Sequence, residues 1–177
     1  ANRDALARAE ARWGVPQEII VGIVGVETYY GRILGDFRVL DALATLAFDF
    51  PEGRSDRSDF FRAELEEFLA YVRREDLPVG AVNGSFAGAI GLPQFMPGSL
   101  NRYAVDFDGD GRVDLTGSAA DAIGSIANFL AEHGGRRGEP THCEVEPPAS
   151  QEARAKLLAP DIVPSFRQSG LVWPIAS

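Results

Sequence analysis

Several residue types that carry common chemistries are scarce in this chain of 177 residues. It has one cysteine, Cys143, and two histidines, His133 and His142. One cysteine excludes an intrachain disulfide, and these three side chains are too few for a closed zinc site. A single cysteine does not identify the compartment, because many exported bacterial proteins carry no disulfide. No run of about 18 continuous apolar residues is present, so the sequence predicts no membrane span.

Familiar catalytic signatures are also missing. The chain has no GK[ST] phosphate loop, no G-x-S-x-G nucleophile elbow and no H-E-x-x-H zinc helix. Cys143 and His142 are neighbours in an acidic, proline-rich stretch, an arrangement that does not predict a catalytic thiol.

Positive charge is in deficit, with 17 Lys and Arg against 26 Asp and Glu and a net charge of -9. A phosphate backbone or an anionic lipid surface calls for a basic face, so nucleic acid and membrane adhesion are disfavoured. A neutral carbohydrate or a peptide remains compatible with this charge. The hydrophobic content of 45% is ordinary for a globular protein, and the length allows one domain with a small additional lobe.

Hydrophobic periodicity predicts a mainly α-helical protein. Helices are expected over residues 3–13, 16–30, 40–50, 59–74, 86–91, from 97 onward, 119–133 and near 150–158. In the helix at 59–74, one face is expected to be buried: Phe61, Leu65, Phe68, Leu69 and Val72. The acidic side chains of Glu64, Glu66 and Glu67 are expected in solvent on the opposite face. Short strands are expected only within 106–114 and at 171–173.

The second helix contains the stretch GIVGVETYYG, residues 22–31. Its nearly continuous apolar run predicts burial on all sides. Gly22 and Gly25 each weaken a helix by about 1 kcal/mol relative to alanine, so we expect a neighbouring helix to approach them closely.

Glu27 ends this run on the same helical face as Ile20, Ile23 and Val24. An apolar setting and the negative end of the helix dipole both disfavour ionisation, so the pKa of Glu27 should rise, as a general acid requires. The alternative interpretation is that the helix ends at Val26 and that Glu27 faces water, paired with Arg32. The pattern alone leaves both interpretations open.

An acidic loop, DFDGDGRVD, begins at Asp106. It matches the first nine positions of an EF-hand, in which oxygen ligands surround a hard cation. The predicted ligands are Asp106, Asp108, Asp110, the Arg112 carbonyl, Asp114 and Asp121. Asp121 would replace the usual glutamate at the twelfth position, where Gly117 stands. The predicted role of calcium is structural, and the alternative is a solvated acidic turn.

Several long segments resemble a known family in content and in order. They are VPQEIIVGIVGVETYYGR, RVLDALATLAFDFP, GSFAGAIGLPQFMPGSLNRYAVDFDGDGRVDL and DAIGSIANFLAEHGG. Together they resemble the type B lytic murein transglycosylases of bacteria, a glycoside hydrolase family with a lysozyme-like helical fold. The resemblance covers residues 5–135.

This resemblance implies a lysozyme-like catalytic core at 1–135, with an EF-hand-like calcium loop at 106–121. It implies that 136–177 is a C-terminal extension of the same domain, incomplete because the family's Tyr- and Asn-rich stretch is not found. Glu27 would be the catalytic acid and base. The implied substrate-binding residues are Ser85, Gln94, Tyr30, Phe86, Met96, Asn128 and Phe129. Phe129 stands where relatives often have tyrosine, and Asp121 comes one residue later than its counterpart.

The resemblance further implies cleavage of the β-1,4 bond between N-acetylmuramic acid and N-acetylglucosamine in peptidoglycan, with a 1,6-anhydromuramoyl product. The alternatives are a hydrolytic lysozyme that uses water, or a calcium-dependent peptidoglycan-binding module without turnover. The implied partners are glycan strands and proteins of cell-wall synthesis or the divisome, but no nucleic acid. The implied location is the bacterial periplasm, either soluble or anchored to the outer membrane through a removed N-terminal segment.

Overall fold

The computed structural model describes residues 2–53, 55–138 and 150–157. The chain divides into two units, Ala1–Glu139 and Pro140–Ser177. Among the described residues, the second unit contributes one helix. The predictions about Cys143, His142 and a strand at 171–173 lie outside the described residues, and the predicted boundary at residue 135 stays a prediction.

Helices make up most of the described chain, which confirms the prediction of a mainly α-helical fold. They are α1 Arg3–Trp13, α2 Gln17–Thr28, α3 Val39–Phe48, α4 Ser58–Arg74, α5 Pro97–Tyr103, α6 Ala119–Glu132 and α7 Gln151–Leu157. Gly14 ends α1 in the left-handed conformation, with φ of 77°. None of the helices within the described ranges combines the length and the apolar content that crossing a bilayer requires.

The helix predicted at 86–91 is wrong. These residues form turns closed by an isolated antiparallel bridge between Ile90 and Phe95. Gly88 and Gly91 have φ of 86° and 73°, values that a right-handed helix cannot contain. The small, apolar composition of this stretch therefore reflects a tightly packed turn.

Two short strands were not predicted, and the strand expected within 106–114 is not formed there. The strands are β1 Phe37–Arg38 and β2 Asn83–Gly84, paired antiparallel with Phe37 opposite Gly84. Each has two residues, too few for the alternation of side chains that identifies a strand in sequence. Their pairing joins the connection before α3 to the start of residues 84–96, which we call the 84–96 segment.

Two hydrophobic clusters lie within the first unit. One contains Val39, Leu43, Phe61, Phe68 and Leu100 and joins α3, α4 and α5. The other joins α1, α2 and α6; it includes Ala9, Ile20, Phe107 and Ile126. Residues of the 84–96 segment and of α5 belong to the first cluster, and α2 belongs to the second.

The α4 face was predicted correctly at Phe61, Phe68 and Val72, which are buried, but not at Leu69, which is exposed. The prediction that Glu64 is solvated is also wrong, because its residue is only 8% exposed. Its carboxylate accepts the Gly98 N–H at the N-terminus of α5, where backbone amides lack helical partners and a negative charge is favourable.

The neighbouring acidic residues of α4 differ from one another. Glu66 is exposed, as predicted. Glu67 is half-buried, and its carboxylate accepts a hydrogen bond from the Asn101 side chain at 2.6 Å. The polar side of α4 is thus partly covered by α5.

Candidate active site

Helix α2 is far less buried than its apolar sequence predicts. Only Ile20 and Thr28 are buried in it, and Val26 is 86% exposed. Within the described part of the chain, the nearest neighbours of the two glycines do not include another helix. A Cβ at Gly22 would meet nothing within 4 Å, and a Cβ at Gly25 would lie 2.9 Å from Cζ of Tyr30. The prediction of burial on all sides is therefore wrong, because an apolar run does not reveal which faces the fold leaves uncovered.

Glu27 lies in the last turn of α2 with its side chain exposed. Among the described residues, apolar side chains do not enclose Glu27 as its prediction as an acid assumed. The alternative was correct about exposure but not about the helix, which continues to Thr28. Arg32 does not pair with Glu27 either; its guanidinium lies 4.9 Å from the ring centre of Tyr29.

A sharp turn follows Glu27. Tyr29, Tyr30 and Gly31 have φ of 50°, 60° and 82°, three successive left-handed residues. Such strain in residues with side chains persists only where surrounding contacts impose it, and it is frequent at functional sites. The turn directs the chain toward the 84–96 segment.

Thr28 attaches the end of α2 to the 84–96 segment. Its Oγ1 lies 3.1 Å from the Val24 carbonyl oxygen and 3.2 Å from the Leu92 carbonyl oxygen, and it accepts the Gly31 N–H at 3.1 Å. The residue next to Glu27 is therefore tied to a part of the chain 64 positions away.

Residues after the turn hold the same segment. The Gln94 amide nitrogen donates to the carbonyls of Leu34, at 3.2 Å, and Gly91, at 3.0 Å. Gly35 lies so close to the backbone of Gly84 and Ser85 that a Cβ there would overlap them. Glu27, Ser85 and Gln94 are thereby carried on chain segments that contact one another directly.

Ser85 and Gln94 are each fixed by the protein at one end. Ser85 Oγ accepts the N–H groups of Ala89 and Ala87 at 3.0 and 3.3 Å, and among the described residues no acceptor takes its own hydrogen. Within the described ranges, the structure gives Gln94 Oε1 no hydrogen-bond donor. Gln94 has φ of 49°, another left-handed residue that is not glycine. The pair offers one donor and one acceptor to a ligand.

The predicted aromatic contacts are divided between surface and interior. Tyr30 is exposed, and Phe86 is 71% exposed. Met96 is half-buried and packs against the cluster of α3, α4 and α5. Phe129 is also half-buried; its ring centre lies 5.3 Å from that of Phe95. Tyr30 and Phe86 are open to a ligand, whereas Met96 and Phe129 contribute to packing.

Asn128 uses both ends of its amide inside the protein. Its nitrogen donates to the Tyr103 carbonyl at 2.9 Å, and its oxygen accepts the Trp13 indole N–H at 3.1 Å. These bonds link α6 to α1 and to α5. The structure thus gives Asn128 a structural role that the prediction did not include.

The acidic loop brings three of its predicted ligands together. One carboxylate oxygen from each of Asp106, Asp108 and Asp110 lies within 4.8 Å of the others, and all three residues are exposed. Three oxygen anions at this separation suit a hard divalent cation, which would cancel their repulsion. Ser118, the N-cap of α6, donates to Asp108 Oδ2 at 2.6 Å.

Asp121 and Asp114 are engaged elsewhere in the loop. Asp121 is buried in the first turn of α6, and its carboxylate accepts the N–H groups of Phe107 at 2.7 Å, Asp108 at 3.3 Å and Asp114 at 2.9 Å. Asp114 Oδ1 accepts N–H groups from Thr116 and Gly117 at 2.9 and 2.8 Å. In this structure the two carboxylates shape the loop, and they do not join the group of three.

Sequence reasoning did not identify Thr28 as part of the site. A signal was present, since Thr28 follows Ile20 and Val24 at intervals of four and so lies on the buried stripe of α2. A polar residue on such a stripe needs a partner, and here the partner is a distant carbonyl.

Comparison with protein families gives a match over residues 1–171 to the family described as transglycosylase SLT domain. The membrane-bound lytic murein transglycosylase B of Escherichia coli (strain K12) is 52% identical over 136 residues, which are 77% of this chain and 36% of that protein. The chain thus spans about a third of the length of this relative.

Solved structures agree with this match. Escherichia coli lytic transglycosylase Slt35 in complex with calcium is 51% identical, with a TM-score of 0.73 over 78% of this chain and 43% of that chain. SltB3 of Pseudomonas aeruginosa in complex with NAG-anhNAM-pentapeptide is 39% identical, with a TM-score of 0.74 over 86% of this chain and 39% of that chain. The helical arrangement described above is therefore shared with lytic transglycosylases.

Proposed function

The chain belongs to the transglycosylase SLT domain family, and from this premise we propose that it cleaves the β-1,4 MurNAc–GlcNAc bond of peptidoglycan. The observation that carries the proposal is the placement of Glu27. Its carboxylate is exposed at the end of α2, and the adjoining Thr28 bonds to the segment that carries Ser85 and Gln94. A ligand lying on that segment meets one carboxylic acid, one hydroxyl and one amide.

The proposed reaction uses Glu27 twice. As a carboxylic acid it gives its proton to the glycosidic oxygen, and the bond from that oxygen to C1 of the muramoyl sugar breaks. The sugar's own 2-acetamido group stabilises the positive C1, where other glycosidases use a second carboxylate. The Glu27 carboxylate then takes the proton of the C6 hydroxyl as its oxygen bonds to C1. The product is a 1,6-anhydro sugar, and no water is consumed.

Ser85 and Gln94 are proposed to orient the acetamido group, through the free hydroxyl hydrogen and the free amide oxygen. The exposed rings of Tyr30 and Phe86 are assigned to the apolar faces of sugar rings. Glu27 is exposed in the protein alone, so we propose that the glycan covers it and excludes water before proton transfer. Roles for Met96 and Phe129 in glycan binding stay predictions from the resemblance. The role predicted for Asn128 competes with the two hydrogen bonds that its amide makes inside the protein.

The test compares the wild-type chain with Glu27→Gln on purified peptidoglycan, with products analysed by mass spectrometry. We expect anhydromuramoyl products from the wild type and none from E27Q, with unchanged circular dichroism. Glu66→Gln, at an exposed position of α4, is the matched control and should keep full turnover. Anhydro products from E27Q would overturn the assignment.

The alternatives predict different products. A hydrolytic lysozyme releases fragments heavier by one water. A binding module without turnover leaves the sacculi intact but is pulled down with them.

We also propose that the acidic loop holds calcium, through the carboxylates of Asp106, Asp108 and Asp110 and the carbonyl of Arg112. Bound calcium would offset most of the negative charge of the three carboxylates and fix the loop that precedes α6, a structural role. Participation of Asp114 and Asp121 stays a prediction, because their carboxylates lie outside the group formed by Asp106, Asp108 and Asp110. The Slt35 relative was solved in complex with calcium, which supports this assignment.

Urea unfolding with and without calcium tests this second proposal. Calcium at 100 times its dissociation constant should raise the free energy of unfolding by about 2.7 kcal/mol. Asp108→Asn should weaken the effect at the same calcium concentration, whereas Glu66→Gln should not. Equal stabilisation of the wild type and D108N would contradict the proposed site.

The location and partners follow the same family assignment. The Escherichia coli relative is described as membrane-bound and acts on murein, so we propose the bacterial periplasm, with the protein soluble or anchored to the outer membrane. Glycan strands are the proposed partner, and the relative solved with NAG-anhNAM-pentapeptide supports this class of ligand. Proteins of cell-wall synthesis or the divisome stay predicted partners.

A further inference from the structure

Thr28 is a polar residue buried to 1% exposure directly beside the exposed Glu27. We propose that Thr28 is a positioning residue for the reaction. Its hydroxyl fixes the end of α2, and with it the Glu27 carboxylate, against the 84–96 segment. This inference rests on the proposed function, since it concerns the alignment of the same acid.

The hydrogen-bonding capacity of one hydroxyl defines what Thr28 does. It has one hydrogen to donate and lone pairs to accept. The Gly31 N–H uses one lone pair, and the hydrogen lies within reach of the Val24 and Leu92 carbonyls. The bond to Val24, four residues earlier, is an ordinary one for a helical threonine. The contact with Leu92 is different, because it crosses from α2 to another part of the fold.

Leu92 is held firmly enough to serve as an anchor. Its N–H donates to the Leu115 carbonyl at 2.7 Å, and Leu115 is buried in the cluster of α3, α4 and α5. On the other side, a Cβ at Gly31 would lie 2.8 Å from Leu92 Cδ2, so the turn after Glu27 packs on Leu92. The hydroxyl of Thr28 therefore connects the last turn of α2 to a fixed point of the core.

The same hydroxyl also stabilises the left-handed turn. Gly31 has φ of 82° and follows Tyr29 and Tyr30, which are also left-handed. Without the hydroxyl, the Gly31 amide and the Leu92 carbonyl lose this partner and the strained turn loses a constraint. Glu27 is one residue from this junction, so its side chain would sample a wider range of positions.

Kinetics separates positioning from a purely structural role. Misplacement of an acid by a fraction of an ångström affects the transition state more than ground-state binding, so kcat should fall while KM stays nearly constant. Thr28→Val removes the hydroxyl and keeps the shape, and Thr28→Ser keeps the hydroxyl. We expect T28V to lower kcat at least tenfold with KM within twofold of wild type, and T28S to restore kcat to within threefold.

Thr45, exposed on α3, supplies the matched controls. Thr45→Val and Thr45→Ser should leave both constants within twofold of wild type. A T28V variant with wild-type kcat, or one that changes KM alone, would overturn the proposal. Should T28V fail to fold, Thr28→Ala replaces it, since it removes the hydroxyl without placing a new methyl group against a carbonyl.

A second measurement needs no turnover and distinguishes failure of this inference from failure of the proposed function. Amide hydrogen exchange of Gly31, followed by NMR in the protein alone, should quicken at least tenfold in T28V and less than threefold in T28S. Amides of α4 should not change. If the wild type forms no anhydro product, the proposed reaction fails while exchange still decides whether Thr28 holds the turn. Unchanged Gly31 exchange in T28V would overturn the proposal that the Thr28 hydroxyl fixes the turn.

Discussion

Oε2 of Glu64 lies 2.7 Å from the backbone nitrogen of Gly98 and accepts its hydrogen, so a carboxylate of α4 caps the first turn of α5. Pro97 precedes Gly98 at the start of that helix and has no N–H to pair. The bond therefore serves an amide that the helix itself leaves unsatisfied. Because α5 follows the 84–96 segment directly, the cap also holds the end of that segment against α4.

Removal of this cap should destabilise the protein. Glu64→Ala leaves a buried amide without a partner, and we expect the free energy of unfolding to fall by about 1–3 kcal/mol. Glu64→Gln keeps an oxygen acceptor and should lose less. Urea unfolding measures both, with Glu66→Ala on the exposed side of α4 as control. Equal losses for E64A and E66A would show that the Gly98 bond contributes nothing measurable.

Long, periodic elements could be predicted from the sequence, and turns could not. Helices α4 and α6 extend over 17 and 14 residues and begin and end within one residue of their predicted limits. The 84–96 segment has no repeating pattern. Its conformation depends on Gly88 and Gly91 in left-handed backbone and on contacts such as Thr28 with Leu92, which sequence periodicity does not encode.

The sequence suggested candidate site residues but not their surroundings. The resemblance gave Glu27, Ser85 and Gln94, and the structure places all three on contacting segments. It did not give the exposure of Glu27, because hydrophobicity does not say which apolar surface a fold leaves for a ligand. The structural roles of Thr28 and Glu64 were not predicted for a related reason. In a sequence, a polar residue beside apolar ones is usually interpreted as the end of a helix or as a side chain in solvent.

Asp121 should stabilise the loop without any metal. Its carboxylate accepts three backbone N–H groups, so Asp121→Asn turns an amide donor toward at least one of them. We expect D121N to lower the free energy of unfolding by about 2–3 kcal/mol in the presence of EDTA. Chemical denaturation under metal-free conditions measures this directly.

Asp110→Asn is the matched control, since Asp110 is exposed in the same loop and belongs to the group of three carboxylates. Removing one of three neighbouring charges should leave metal-free stability unchanged or raise it. If D110N and D121N lower the free energy of unfolding equally in EDTA, the distinction between metal ligands and residues that hold the loop conformation is contradicted.

Asn128 should affect stability and not glycan affinity. Asn128→Asp keeps the acceptor for Trp13 but replaces the donor to the Tyr103 carbonyl with a carboxylate oxygen. We expect the free energy of unfolding to fall by about 1–3 kcal/mol, with KM within twofold of wild type. Unfolding and steady-state kinetics on one preparation decide the matter. A raised KM with unchanged stability would support the predicted role of Asn128 in glycan binding.

The two glycines of α2 should respond differently to substitution by alanine. A Cβ at Gly22 enters open space, so Gly22→Ala gains helix propensity without a clash and should raise the free energy of unfolding by about 1 kcal/mol. At Gly25 the new methyl group meets the Tyr30 ring at 2.9 Å, and the ring must move. Gly25→Ala should therefore gain little or nothing in stability.

Activity measured on the same two variants shows what covers this face of α2. Displacement of Tyr30 in G25A should raise KM for a glycan substrate, because that ring is assigned to a sugar face. If glycan passes only over the Glu27 end of the helix, G22A should keep the wild-type KM. If glycan lies against Gly22, the added methyl group should raise KM even though the variant is more stable. Equal stabilisation by G22A and G25A would contradict the close packing of Tyr30 on Gly25, and with it the position assigned to that ring.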